Sequence, residues 1–314
     1  MSSLRTMQEL RNLGEISREK YWTAIREFLL DLEGFNSWQV QQGVQVKLDR
    51  DGLLIETNLI RDGHEREMFR VNPLQIRSAP FTILADGVYE QFQLEVAANL
   101  ARNSEVFIDV GSNIGVYCVA LAKRFPNLQI HAFEPLLECF ILARENFILN
   151  HCSSSISIYN FALGDEVTTK EFFIPKFTGN AGASFAHQHP DEGEPIKEIL
   201  EIKTLDSLSF TKVDLVKIDV EGFEFQVLQG ARGILAREKP TVIVEILRKW
   251  SKSFDNTPQD SFNLLMNMGY ECYEIREHHV SKIVELNNLT PVTNFIFCHK
   301  DRKLHLRTLK SFSE

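Results

Sequence analysis

From about residue 86 onward the chain repeats one unit, a short apolar run, a turn and a helix-forming stretch. "VFIDV" precedes "VYCVALAKRF", "LQIHAFE" precedes "LLECFILARENFILN", and "SISIYNFA" runs into Gly164-Asp165. Later "VDLVKIDV" precedes "FEFQVLQGARGIL", and "TVIVEIL" follows Pro240. Strands that are apolar throughout, rather than on alternate residues, are covered on both faces, and strands separated by helices run parallel. Residues 86–314 therefore read as an α/β domain, with a parallel sheet between helical layers.

Two stretches do not follow the unit. In residues 1–85, Tyr21, Trp22, Ile25, Phe28, Leu29 and Leu32 recur at helical spacing. "VQVKLDRDGLLIET" in turn reads as a hairpin turning at Asp51-Gly52, so a small α+β appendage is expected there. In the insertion at 170–203, "KEFFIP" and "IKEILEIK" flank a polar loop, Phe177–Pro195. Its length suits a lid hinged at Gly179, Gly182 and Gly193. Asn180 and Ser184 would then meet the hydroxyls of an acceptor, and His187 would serve as an alternative general base. The other reading of the loop is a solvated surface connection.

A net charge of −9, with no long Lys/Arg cluster, argues against nucleic acid as a partner and leaves a small-molecule or glycan one. Apolar residues at 44% and charged residues at 25% are the balance of a globular chain. The five cysteines include no C-x-x-C pair, which fits neither a disulfide framework nor a zinc site. His187 and His189 have an H-x-H spacing but no third nitrogen or sulfur ligand nearby, so no metal site is assigned. With no signal-like start and no run of 18 apolar residues, the expectation is a cytoplasmic protein without a membrane span. Oligomeric state leaves no mark in the sequence.

The residues that carry chemistry gather where strands should end. After the run "VFIDV", Asp109 is followed by Gly111, Asn113 and Gly115. In an open α/β sheet, ligands bind beyond such strand ends, and glycines let the backbone come close to them. The dinucleotide pattern G-x-G-x-x-G is broken, because Asn113 takes its second glycine position and Val116 its last. Instead there is a carboxylate at the mouth of the loop and another, Glu134, at the end of the next strand. Asp109 suits a cationic ligand and Glu134 a ribose; S-adenosyl-L-methionine carries both. Phe161 and Ala162, at the end of the third strand, would flank its adenine.

After "LVKI", Asp219 and Glu221 are candidates for acceptor binding, for base catalysis, or, with Glu245, for holding a divalent ion, which is possible but not expected. Alternatively Glu221 only favours the start of a helix near Gly222. Lys217 is a cation within a strand that should be buried, and it needs a carboxylate partner from among Asp109, Asp219 and Glu245. It either organises the site or forms a plain ion pair.

Together "FIDVGSNIG", "HAFEP", "ENFILN", "NFALGD", "TLDSL", "VDLVKIDVEGFEFQVLQGA" and "PTVIVEI" resemble the FkbM family of S-adenosylmethionine-dependent methyltransferases. The resemblance runs from about Gly87 to Leu247. It implies a class I methyltransferase (Rossmann-like) sheet of seven strands with helices on both faces. It also implies O-methylation of a saccharide or natural-product acceptor. By the same resemblance "DGVYE" places Tyr89 and Glu90 over the cofactor. Two other readings remain open: a catalytically silent adenosylmethionine-binding domain, and a nicotinamide-dependent oxidoreductase that lacks the expected glycines.

Overall fold

A computed structural model of the chain describes residues 17, 20, 44–49, 52–60, 66–71, 79, 82–83, 88–175, 182–186, 193–246, 252–286 and 292–313. The expected helix over residues 21–32 lies outside them, as do Gly179, Asn180, His187 and His189. The chain divides into two compact units, Met1–Gln91 and Phe92–Glu314, six residues beyond the boundary expected near residue 85.

The first unit contains a three-stranded antiparallel sheet of β1 (Gln45–Asp49), β2 (Gly52–Thr57) and β3 (Glu67–Val71). Asp49 pairs with Gly52, which sets the hairpin register, and Ile55 pairs with Phe69. Both of the latter are fully buried. The third strand, "EMFRV", goes unnoticed in the sequence because two of its five residues, Glu67 and Arg70, are charged. One of them, Glu67, is buried and accepts the Leu59 N–H at 3.0 Å.

The second unit opens with the repeated units: α1 (Gln91–Ala101), β4 (Val106–Val110), α2 (Val116–Arg124), β5 (Gln129–Phe133), α3 (Leu137–Leu149) and β6 (Ile156–Tyr159). The insertion follows, with β7 (Ala162–Leu163), β8 (Thr168–Ile174) and β9 (Ile196–Lys203). The main sheet resumes in β10 (Leu215–Ile218), α4 (Glu224–Gln229), α5 (Arg232–Arg237) and β11 (Thr241–Glu245). It ends in α6 (Pro258–Asn267), β12 (Tyr270–Ile275), β13 (Val280–Ile283), β14 (Asn294–His299) and α7 (Lys303–Ser311).

The main sheet has eight strands in the order β13-β12-β14-β11-β10-β4-β5-β6, one more than expected because β13 adds a hairpin to β12. From β11 to β6 all neighbours are parallel, whereas β14 runs antiparallel to both β11 and β12. Every residue of β4 and β10 is buried, as apolar-throughout runs require. After β4 the chain goes to β5 on one side, and later strands build outward from β10 on the other. The reversal between β4 and β10 opens the crevice in which α/β sheets hold ligands.

Three boundaries differ from the sequence reading, each for a local reason. The expected strand "SISIYNFA" stops at Tyr159, and Ala162–Leu163 joins the small sheet β7-β9-β8 by pairing with β9. "FEFQVLQGARGIL" makes two helices with Gly230 between them, where a Cβ would lie 1.8 Å from the Gly164 carbonyl oxygen. The helix expected near Gly222 starts at Glu224.

At the opposite end of the sheet from the crevice, Arg302 fastens the segment after β14. Its guanidinium meets Asp214 at 2.6 Å and the carbonyls of Val213, Glu238 and Lys239 at 2.7–2.9 Å. Asp214 in turn accepts the backbone N–H groups of Glu105 and Val106.

Candidate cofactor and acceptor site

The loop between β4 and α2 is built on left-handed backbone. Gly111, Asn113 and Gly115 have φ of +78°, +50° and +81°. Gly111 allows a close crossing, since a Cβ there would sit 1.9 Å from the Asp219 carbonyl oxygen. The amides of Gly111 and Ser112 both reach the Phe133 carbonyl, at 3.0 and 3.1 Å, which ties the loop to the end of β5. Gly115 clears the Phe147 ring, and Asn146 of α3 donates to the Ile114 carbonyl at 2.9 Å. Sequence reasoning passed over Asn146, although a fully buried Asn in an apolar helix is itself a signal that its amide has work to do.

Glu134, just past β5, lies against this loop. Its carboxylate accepts the Asn113 N–H at 2.8 Å through Oε2 and the Leu136 N–H at 2.9 Å through Oε1. Burial pushes its pKa up to about 7, against the pull of those two N–H groups. Each oxygen keeps a second lone pair for a ligand hydroxyl.

Asp109 is 1% exposed and sits in register beside Lys217 of β10. Its Oδ2 accepts the Cys118 thiol at 3.2 Å, and its Oδ1 has no partner. Burial raises its pKa, and Lys217 opposes the rise. Ser112 Oγ, three residues further on, is likewise buried without a partner. Buried polar atoms left open cost free energy unless something completes them, and both of these lie at the end of β4 and the start of its loop.

Lys217 takes Asp219 as its carboxylate, Nζ to Oδ2 at 2.9 Å, and its ammonium also lies 4.7 Å from the centre of the Tyr117 ring. The turn after Asp219 is constrained. Glu221 has φ +52° and Gly222 φ +99°. The Ser184 hydroxyl donates to the Glu221 carbonyl at 2.9 Å, and Glu224 Oε1 accepts the Gly222 N–H at 2.8 Å. Glu224 is buried, with its pKa raised by that burial to about 8. The helix-start role considered for Glu221 thus falls to Glu224, because the helix begins two residues later than expected. Ser184 is fully buried and bonded to that turn.

The remaining candidates are spread more widely. Glu245, at the end of β11, accepts the Thr293 hydroxyl at 3.2 Å. Among the described residues no three His, Cys, Asp or Glu side chains come together to hold a metal ion, so Asp219, Glu221 and Glu245 do not converge. Phe161 is half-buried against Phe133 and Tyr159, and the Lys203 ammonium covers one of its faces at 4.3 Å. Ala162 is buried in β7. Tyr89 and Glu90 close the first unit, both half-buried, Glu90 with φ +43°. All five cysteines are buried free thiols. No helix among the described residues is long and apolar enough to cross a membrane.

The sheet order, the antiparallel β14 and the acid-and-glycine crevice at the ends of β4 and β5 define a class I methyltransferase fold. The family model described as "Methyltransferase FkbM domain" matches residues 109–272, just over half of the chain, and the chain belongs to that family. Methyltransferase sdnD of Sordaria araneosa is 27% identical over 42% of the chain and 62% of its own length. Hexuronic acid methyltransferase AglP of Haloferax volcanii is 30% identical over 50% of the chain and 62% of its own length. For 31-O-demethyl-FK506 methyltransferase FkbM of Streptomyces tacrolimicus the figures are 27%, 41% and 60%. The chain thus spans about three fifths of the length of these relatives.

Proposed function

We propose that this protein is an S-adenosylmethionine-dependent O-methyltransferase whose acceptor is a hydroxyl of a saccharide or of a natural product. The observation that carries the reading is the pair of buried polar atoms without a partner, Asp109 Oδ1 near the end of β4 and Ser112 Oγ in the glycine-built loop that follows. The donor set suits the cofactor: a buried carboxylate for its cationic end and Glu134 for its ribose. Phe161 and Ala162 keep their proposed parts around it. Two family relatives carry names that match this acceptor class, one a hexuronic acid methyltransferase and one a methyltransferase of 31-O-demethyl-FK506.

When bound, the cofactor supplies a methyl group on a sulfonium. The chain's own residues do the rest. Asp109, Gly111 and Asn113 fix the loop and therefore the donor, because holding two reactants in line supplies about 7–11 kcal/mol of a displacement barrier. Asp219 lies at the tip of β10 with its Oδ2 held by Lys217. Its Oδ1 takes the proton of the attacking hydroxyl, a contribution of roughly 10²- to 10⁴-fold. Glu221 and Glu245 flank the acceptor. Asn180 and His187, in the insertion, complete the acceptor side.

Incubating the protein with methyl-labelled adenosylmethionine and a panel of sugars, lipid-linked glycans and macrolides tests the reading. Label should pass to a hydroxyl of one class, and transfer to nitrogen or carbon alone would refute O-methylation. Asp219→Asn should lower turnover at least about tenfold with cofactor affinity nearly unchanged. Lost thermal stability with intact turnover would instead leave Lys217 and Asp219 as an ion pair only.

Glu134 adds a pH test. Ribose hydroxyls donate to an ionised carboxylate, and the Glu134 pKa stands at about 7. Adenosylhomocysteine affinity should therefore weaken as the pH falls below that value, and Glu134→Gln should bind more weakly and with a flatter profile. Calorimetric titrations across this range, with identical slopes for both proteins, would remove Glu134 from the ribose site.

A further inference from the structure

Cys118 lies in the first turn of α2, fully buried, and nothing in its sequence setting marks it out from the other four buried thiols. Its neighbour does. The thiol donates at 3.2 Å to Oδ2 of Asp109, while Oδ1 of the same carboxylate is buried with no partner. Lys217 stands in register beside Asp109 on β10, but its ammonium is bonded to Asp219, so it attracts Asp109 through space without taking either oxygen. In this arrangement one oxygen of Asp109 is held and the other kept open.

We propose that Cys118 is a positioning residue of the methyl-donor site: its thiol pins Asp109 Oδ2, fixing the carboxylate so that Oδ1 alone meets the cofactor's cationic end. This rests on the proposed cofactor. The physical ground is pre-organisation. A carboxylate free to turn about its Cα–Cβ and Cβ–Cγ bonds loses that freedom when the ligand arrives, whereas one held beforehand has already lost it. A thiol is a weak donor, suited to orienting the carboxylate without neutralising it. Cys118 touches no substrate atom and acts through Asp109 alone.

The test uses the full chain with S-adenosylhomocysteine as probe, in calorimetric titrations of wild type, Cys118→Ala and Cys118→Ser, alongside their thermal unfolding. The wild type should bind. Cys118→Ala should bind about five- to tenfold more weakly, the scale of one lost hydrogen bond. Cys118→Ser, which keeps a donor, should recover most of that loss. A structural role alone would move the unfolding temperature of Cys118→Ala and leave its affinity at the wild-type value, which overturns the inference. The S–H stretching band that disappears from the wild-type spectrum in Cys118→Ser, where the other four thiols remain, should lie below the frequency of a free thiol, and a lost band at the free-thiol position overturns the bond itself. Wild-type protein that ignores the probe would overturn the cofactor reading, a result distinct from wild-type binding that Cys118→Ala shares.

Discussion

A Gly111→Ala chain is expected to lose adenosylhomocysteine binding and about 2–5 kcal/mol of stability. The figure joins about 1–2 kcal/mol for an alanine forced into left-handed backbone and about 1–3 kcal/mol for an atom placed in filled space. Both apply here, because Gly111 has φ +78° and its Cβ would lie 1.9 Å from the Asp219 carbonyl oxygen. Backbone cannot rotate aside as a side chain can, so the loop must leave the end of β10 and carry Asp109 and Ser112 with it. Gly193→Ala is the control, with φ +80° and nothing within 4 Å of the added carbon. It should show the strain alone and leave binding unchanged. Urea unfolding with equal slopes, together with titration of both variants, measures the difference. Equal losses for the two would mean that the loop does not cross β10 as described.

Arg302→Ala should be at least as damaging, at about 3–5 kcal/mol, the cost of removing one partner from a buried pair. Arg302 joins the starts of β4, β10 and β11 to the segment before α7, and its removal leaves Asp214 charged with its side chain only 6% exposed. The effect carries a pH signature. Burial alone would raise the Asp214 pKa, but the guanidinium and two backbone N–H groups bring it below the ordinary carboxylate value. A depressed folded pKa means stability that is present above the unfolded pKa and lost as pH falls through the folded one. Wild type and Arg302→Ala should therefore differ most near neutral pH and converge in strong acid. A gap that stays constant down to pH values below both pKa values would show that the clasp works through packing rather than charge.

How much of this was legible beforehand differed along the chain. The five parallel strands could be read because each is mostly apolar and is followed by a turn or a helix-forming stretch, the repeat of a parallel sheet. The end of the sheet built from β12, β13 and β14 could not, since "YECYEI" and "NFIFCH" mix polar and apolar residues, and neither spacing nor composition says which strand a given one will pair with. In the site, Asp109, Gly111, Gly115 and Glu134 announced themselves by type and position. The thiol on Asp109 did not, because Cys118 and Asp109 meet only through the packing of α2 on β4. The helix-start role considered for Glu221 passed to Glu224 on a two-residue shift in where a helix begins, which is finer than propensity resolves. Ser184 had the right chemistry for an acceptor, but its hydroxyl is bonded to the turn beside it.

The position of β14 has a consequence for how the molecule comes into being. It is the last strand among the described residues, yet it lies between β11 and β12, both synthesised earlier. While the polypeptide emerges from the ribosome, β10 and β11 can assemble with β4 through β6, but the β12–β13 hairpin has no edge to join. It waits beside an open slot whose apolar sides belong to the finished core. Only when residues 294–299 arrive does one strand close the gap from both sides, and the same segment then brings Arg302 to its clasp. Completion of this sheet is therefore a single late event rather than a gradual extension, and until it occurs the nascent chain carries two unpaired strand edges of the kind that chaperones shield.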